Sequence, residues 1–378
     1  MASKDSDQSL PKVGEAPLII DVEFLEEEDE TLAQPLDSIE EVSFPKSRSA
    51  MELPPSLPTP RGRARVVTVI NQKGGVGKTT TTCNLGAALA EAGCRVLVID
   101  LDPQSHLSLH FGVDGETAGR SVYDLFVDPE VTITDTMVKV RPNLSLVPAV
   151  VDLAAAETEL SGVEGRNEIL RRHIDSVADE FDCVLIDCPP SLGLLTLNAL
   201  AATEEVIVPM QAHFLALQGV SKLLETVALV SQGVNDSLRV SGVILCNHET
   251  QSTHGREVVA ELQEFFDSSR GSGQPWENAQ VFMPAIRRNI KLAEAPSFGQ
   301  TIFDYAPWCP GAIDYRTLAE RLMRGWTSVS AKGSKEVVSD DAAEASAESD
   351  VTIEIDTKAA QKAVDSASDA AEASTSGG

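Results

Sequence analysis

Nine residues from Asn71 to Thr79, Asn-Gln-Lys-Gly-Gly-Val-Gly-Lys-Thr, have the types and spacing needed to hold a phosphate chain. Gly74, Gly75 and Gly77 let the backbone curl until several N–H groups face one anion. The amino end of a following helix adds partial positive charge, and Lys78 can reach β- and γ-phosphates. Thr79 then stands where its hydroxyl can ligate Mg2+. Far downstream, the apolar run Cys183 to Ile186 delivers Asp187 to a strand end, the pattern of a carboxylate that holds Mg2+ through its water shell. A further run, Arg95 to Asp100, ends in Asp100-Leu101-Asp102-Pro103-Gln104. One strand-ending Asp is commonly a helix N-cap. Two, spaced by a single residue at the sheet edge where ligands bind, point instead to a site.

These groups need a scaffold that brings several strand ends together. Val66, Val67, Val69 and Ile70 form a β-branched run suited to a central parallel strand, and from Thr79 an Ala/Leu-rich helix runs to near Gly93. Further strands are expected at Leu144–Val147, from Glu205 to Gln211 and from Val240 to Asn247, with a short one at Val122–Phe126. Helical composition covers Asp152 to Glu180, Leu217 to Val230, Gly255 to Phe266 and Ala312 to Trp326, and residues 268–278 read as a loop. Strands alternating with helices predict an α/β fold, a doubly wound and mostly parallel sheet flanked by helices.

The chain has 378 residues and a formal net charge of −28. Residues 1–60 hold 14 acidic against 4 basic side chains and residues 327–378 hold 11 against 4, so much of the negative charge lies at the two ends. Three regions follow: a disordered acidic, Pro-rich tail over 1–63, a nucleotide domain over 64–326, and a disordered Ala/Ser/acidic tail over 327–378. The acidic body argues that any nucleic-acid contact comes from a local basic patch. Six scattered cysteines without a Cys-x-x-Cys pair read as reduced thiols and speak against an iron–sulfur carrier. The start has no signal-peptide pattern and no apolar run is long enough to span a bilayer, so the expectation is a cytoplasmic protein, with nucleoid association if it binds DNA.

Lys73 places the loop in a narrower class. Lys73-Gly-Gly-Val-Gly-Lys-Thr79 is similar to the deviant P-loop of partitioning and positioning ATPases, and the chain resembles the ParA/Soj type, with MinD more distant, over about residues 65–323. Arg288-Asn-Ile-Lys-Leu-Ala-Glu-Ala-Pro-Ser-Phe-Gly299 matches the ParA/Soj pattern closely and is not expected in MinD, which also needs a basic membrane-binding C-terminal helix. The resemblance implies a slow, partner-stimulated ATPase that uses ATP and Mg2+, forms a homodimer with ATP, and partitions DNA with a centromere-binding ParB-like protein. It implies a nucleotide set of Gly74, Gly75, Val76, Gly77, Lys78, Thr79, Thr80, Pro209 and Asn247, and metal-shell residues Thr79, Asp100 and Asp187. The catalytic residues would be Lys73, reaching the partner's nucleotide, Lys78, and Asp102, orienting the attacking water. Residues 191–198 resemble the family's γ-phosphate switch.

Non-specific DNA binding would fall to Arg256, Arg287, Arg288 and Lys291. The chain departs from the pattern here. Arg287 stands where the family usually has Pro, Gln251 where it often has Arg, and Tyr305-Ala-Pro-Trp-Cys-Pro-Gly311 replaces a segment with two more basic residues. A ParA-like ATPase that positions a protein cargo without DNA is the alternative.

Overall fold

The computed structural model describes residues 63–213, 215–249 and 253–336. Eight strands form one sheet: β1 Arg65–Val69, β2 Val96–Asp100, β3 Val138–Arg141, β4 Leu144–Val147, β5 Cys183–Asp187, β6 Glu205–Met210, β7 Arg239–Leu245 and β8 Gln280–Phe282. Their order is β3-β4-β2-β5-β1-β6-β7-β8, and only the β3–β4 pairing is antiparallel. The expected doubly wound sheet is therefore present. The central strands are buried along their whole length because both faces are covered. Alternate residues feed two cores. Val66, Leu97, Ile99, Val184 and Ile186 face one; Val67, Val96, Val98 and Leu185 face the other, beneath the helices Lys78–Glu91 and Pro310–Glu336.

Parallel register is what assembles the site. β1 pairs β5 with Val69 beside Asp187, and β2 pairs β5 with Asp100 beside Asp187, so the P-loop and both acidic strand ends emerge on one edge.

Several local expectations change. Val122–Val127 is a helix, not a strand: the Ser121 side chain accepts from the Tyr123 amide while Asp124 accepts from the Ser121 amide, and this capping box outweighs the β-branched and aromatic composition. The helical stretch expected over 152–180 is broken into short pieces, Val151–Ala155, Ala156–Glu159, Arg166–Glu168 and Ile169–Asp175, around Gly162 and Gly165 in left-handed conformation. β8 follows the 268–278 loop and, at three residues, is too short to show an alternating pattern in the sequence. The last helix runs to Glu336, past the boundary placed at 326. The readings of residues 1–62, Gln251 and 337–378 lie outside the described residues.

Candidate active site

β1 ends at Val69, and the loop that follows turns directly into the helix beginning at Lys78. Gly75 and Gly77 take φ values of 72° and 99°. At Gly77 a side chain would also come within 3.2 Å of Cβ and Sγ of Cys246, so glycine is required twice over. Around Gly74 and Gly75 there is open space where other side chains would stand, which leaves the backbone accessible to an anion. The loop opens into a cleft of about 680 Å3 whose walls include Gly74, Gly75, Gly77, Lys78, Thr79 and Thr80. Asp102 and Asn247 reach it from the ends of β2 and β7. Val76 is buried, and Pro209 lies within β6, where its carbonyl accepts from Nδ2 of Asn71 at 2.8 Å rather than facing the cleft. Lys78 Nζ reaches back over its own loop to the Lys73 carbonyl at 3.3 Å.

The carboxylates sit at two depths. Asp102 is at the cleft wall, its Oδ1 accepting from the Gln104 amide at 3.0 Å. Asp187 is fully buried; Thr79 Oγ1 donates to its Oδ2 at 2.7 Å, and Thr82 Oγ1 lies 3.1 Å from its Oδ1. Asp100 is also fully buried, and accepts from the amide and hydroxyl of Ser108 at 2.9 and 2.8 Å and from the Asp102 amide at 3.1 Å. Asp100 therefore braces the Asp102 loop instead of standing at the cleft wall. Burial pushes the Asp187 carboxyl up to about 8, helped by the charge of Asp100 and opposed by the bonds from Thr79 and Thr82. Burial raises Asp100 to about 6, against the hydrogen bonds from Ser108 and Asp102. Two carboxylates held this dry are suited to a site that gains positive charge on binding its ligand.

Comparison with known proteins agrees with this geometry. Residues 64–240 match a family described as AAA domain. The chain is 40% identical over 258 residues to the sporulation initiation inhibitor protein Soj of Bacillus subtilis, covering 68% of this chain and 98% of that protein. It is 43% identical over 264 residues to the chromosome-partitioning ATPase Soj of Thermus thermophilus, covering 70% and 97%. The chain belongs to the Soj/ParA family. Among solved structures, one described as cobyrinic acid a,c-diamide synthase from Mycobacterium smegmatis, with bound ATP analogue and magnesium, matches with a TM-score of 0.59 and 37% identity over 70% of this chain and 96% of that one.

The chain is thus a P-loop ATPase of this family, with ATP as its nucleotide and Mg2+ as its metal. Its own residues fit both. An open cradle of glycine backbone meets phosphate, and a threonine hydroxyl beside a carboxylate supplies the hard oxygen donors that Mg2+ takes. Thr79 would hold the ion directly and Asp187 through water; when bound, the ion neutralises charge on the transferring phosphate.

Sequence reasoning missed other members of the cleft. Tyr315 and Cys246 line it from elements that look ordinary in sequence, and Asn289 lines it from within the Arg288–Gly299 stretch, where the pattern does not tell which side chain faces the cleft. His110 also lines it, buried, with no hydrogen-bond partner for Nε2; burial lowers its pKa to about 4. All six cysteines are free and buried.

The four cations assigned to DNA separate in the structure. Arg256 is exposed on the helix Thr253–Ser268. Arg288 pairs with Glu249 at 2.7 Å and Lys291 with Glu294 at 2.7 Å, both on the surface. Arg287 is different: its backbone amide, Nε and Nη2 all bond the carboxylate of Asp314, which is 5% exposed. That residue anchors the last helix, and its charge is already spoken for by Asp314. Among the described residues no helix is long and apolar enough to cross a membrane.

Proposed function

We propose that the chain is an ATP-switched dimer that partitions DNA, binding duplexes without regard to sequence and responding to a centromere-binding ParB-like partner. Lys78 and the loop amides hold the phosphates, Asp102 orients the attacking water, and Lys73, exposed at the rim of the loop, reaches the nucleotide of a second chain. The observation that carries this reading is the meeting of Lys73, Lys78, Thr79 and the acidic ends of β2 and β5 on one sheet edge, in a chain 43% identical to a protein named as a chromosome-partitioning ATPase. The DNA contact falls to Arg256, Arg288 and Lys291, cations at the surface of an acidic chain, and two chains joined by ATP double their number. Such a protein works in the cytoplasm on the nucleoid.

A second reading has its own support. Ile290, Phe298 and Trp308 are 70%, 63% and 74% exposed around the segment that departs from the family's basic pattern. Exposed aromatic surface suits a protein cargo. Fluorescence anisotropy with duplexes of unrelated sequence separates the two: the Asp102→Ala protein should bind them at low salt with ATP and not with ADP. Absence of ATP-dependent binding would favour the protein-cargo reading.

A further inference from the structure

The end of β6 and the segment that leaves it are tied to the P-loop at three points. Asn71 Nδ2 donates to the Pro209 carbonyl at 2.8 Å, Gln211 Nε2 donates to the Gly75 carbonyl at 3.0 Å, and Lys73 Nζ lies 2.8 Å from Nε2 of His213. The last contact has only one chemical sense. An ammonium carries donors and no acceptor, so His213 must accept, which requires a neutral ring with its proton on Nδ1. The lysine backbone is held as well, since its amide donates to Asn71 Oδ1 at 3.0 Å. The lysine assigned to a second chain's nucleotide is therefore occupied within its own chain.

We propose that His213 is a positioning residue for Lys73, keeping its ammonium on its own chain until a second chain's nucleotide competes for it. The proposal rests on the reading that Lys73 acts across the dimer. One ammonium cannot occupy both places, so whatever the contact with His213 contributes is subtracted from dimerisation. Lys73 is exposed and His213 half-buried, so the contact is a modest one that sets the protein concentration at which dimers form without blocking them. Its position gives it reach. His213 stands two residues before the helix Leu215–Gly233, so release of Lys73 removes one of the three ties between the approach to that helix and the nucleotide loop.

The test is sedimentation of the full chain with Mg2+ and a non-hydrolysable ATP analogue over a range of protein concentrations. His213→Ala is expected to lower the concentration of half-dimerisation by about two- to thirty-fold, because each dimer releases two such near-surface contacts, one from each chain. His213→Gln, whose amide oxygen can accept from the ammonium, should stay close to the parent protein. In a Lys73→Ala background, adding His213→Ala should change nothing, an outcome that a merely structural role for the histidine would not produce. An unchanged or raised midpoint in His213→Ala, alongside impaired dimerisation of Lys73→Ala, overturns the positioning role alone. Normal dimerisation of Lys73→Ala overturns the reading on which it rests.

Discussion

Asp187 ends β5 beneath Thr79 and Thr82, cut off from water, and its pKa of about 8 records that burial. In an unfolded chain an aspartate titrates at about 4. Between the two values the folded protein holds a proton that the unfolded chain has released, so stability falls as pH rises through this window. Asp100 acts in the same direction, but its window closes at about 6. His110 acts with the opposite sign, losing stability as pH falls from about 6.5 towards its folded value of about 4. From about pH 6.5 to 8 Asp187 remains. The nucleotide-free protein should therefore melt at lower temperature at pH 8 than at pH 6.5, and Asp187→Asn should flatten that slope in a calorimetric series. A slope unchanged by the substitution would assign the effect elsewhere. At the cleft wall, Lys78→Ala is expected to lose ATP binding. Asp102→Ala should keep binding while kcat drops by roughly 10²–10⁴-fold, the range for loss of one proton-handling group. Wild-type turnover in Asp102→Ala would remove that residue from the mechanism.

The helix Lys78–Glu91 is the element through which packing reaches the chemistry, because its first residue is the phosphate lysine. It lies tight on the sheet at Gly86, where an added Cβ would come 2.9 Å from Cγ1 of Val98 and 3.4 Å from Cδ1 of Leu185. Gly86→Val should cost about 1–3 kcal/mol by overpacking and weaken nucleotide binding by shifting the loop; urea unfolding and an ATP titration measure the two effects separately. The helix Val122–Val127 is a contrast, since it depends on its cap. Ser121→Ala should cost about 0.5–2 kcal/mol with ATP affinity intact, because this element packs on the opposite core from the nucleotide helix.

Across the whole molecule, charge sets what can bind. Each phosphate neutralised contributes a slope of about −0.9 in log K against log salt, so a dimer using about four to six cations should lose affinity for duplex DNA steeply as salt rises. Arg288 is exposed, and its partner Glu249 is 58% exposed, so that pair can open to a phosphate. Arg288→Glu should abolish the ATP-dependent anisotropy signal. Arg287 should behave differently: Arg287→Ala is expected to lower the melting temperature, with or without nucleotide, by leaving the carboxylate of Asp314 buried and unpaired. An Arg287→Ala protein with unchanged melting and lost DNA binding would return that residue to the patch.

Local pattern alone determined the phosphate loop, the strand that feeds it and the acidic ends of β2 and β5. Glycine spacing, β-branched runs and strand-ending aspartates act within a few residues, so they are written in consecutive letters. The alternation of strands and helices likewise carried the doubly wound sheet. Tertiary structure decided which side chains meet. Nothing local tells that Arg287 is anchored by Asp314, that Asp100 is spent on Ser108 and Asp102, or that Lys73 rests on His213, 140 positions away along the chain. Each of these depends on parallel register and on helices returning from far along the chain. Whether a charge faces water, a ligand or another charge is fixed only when those elements pack.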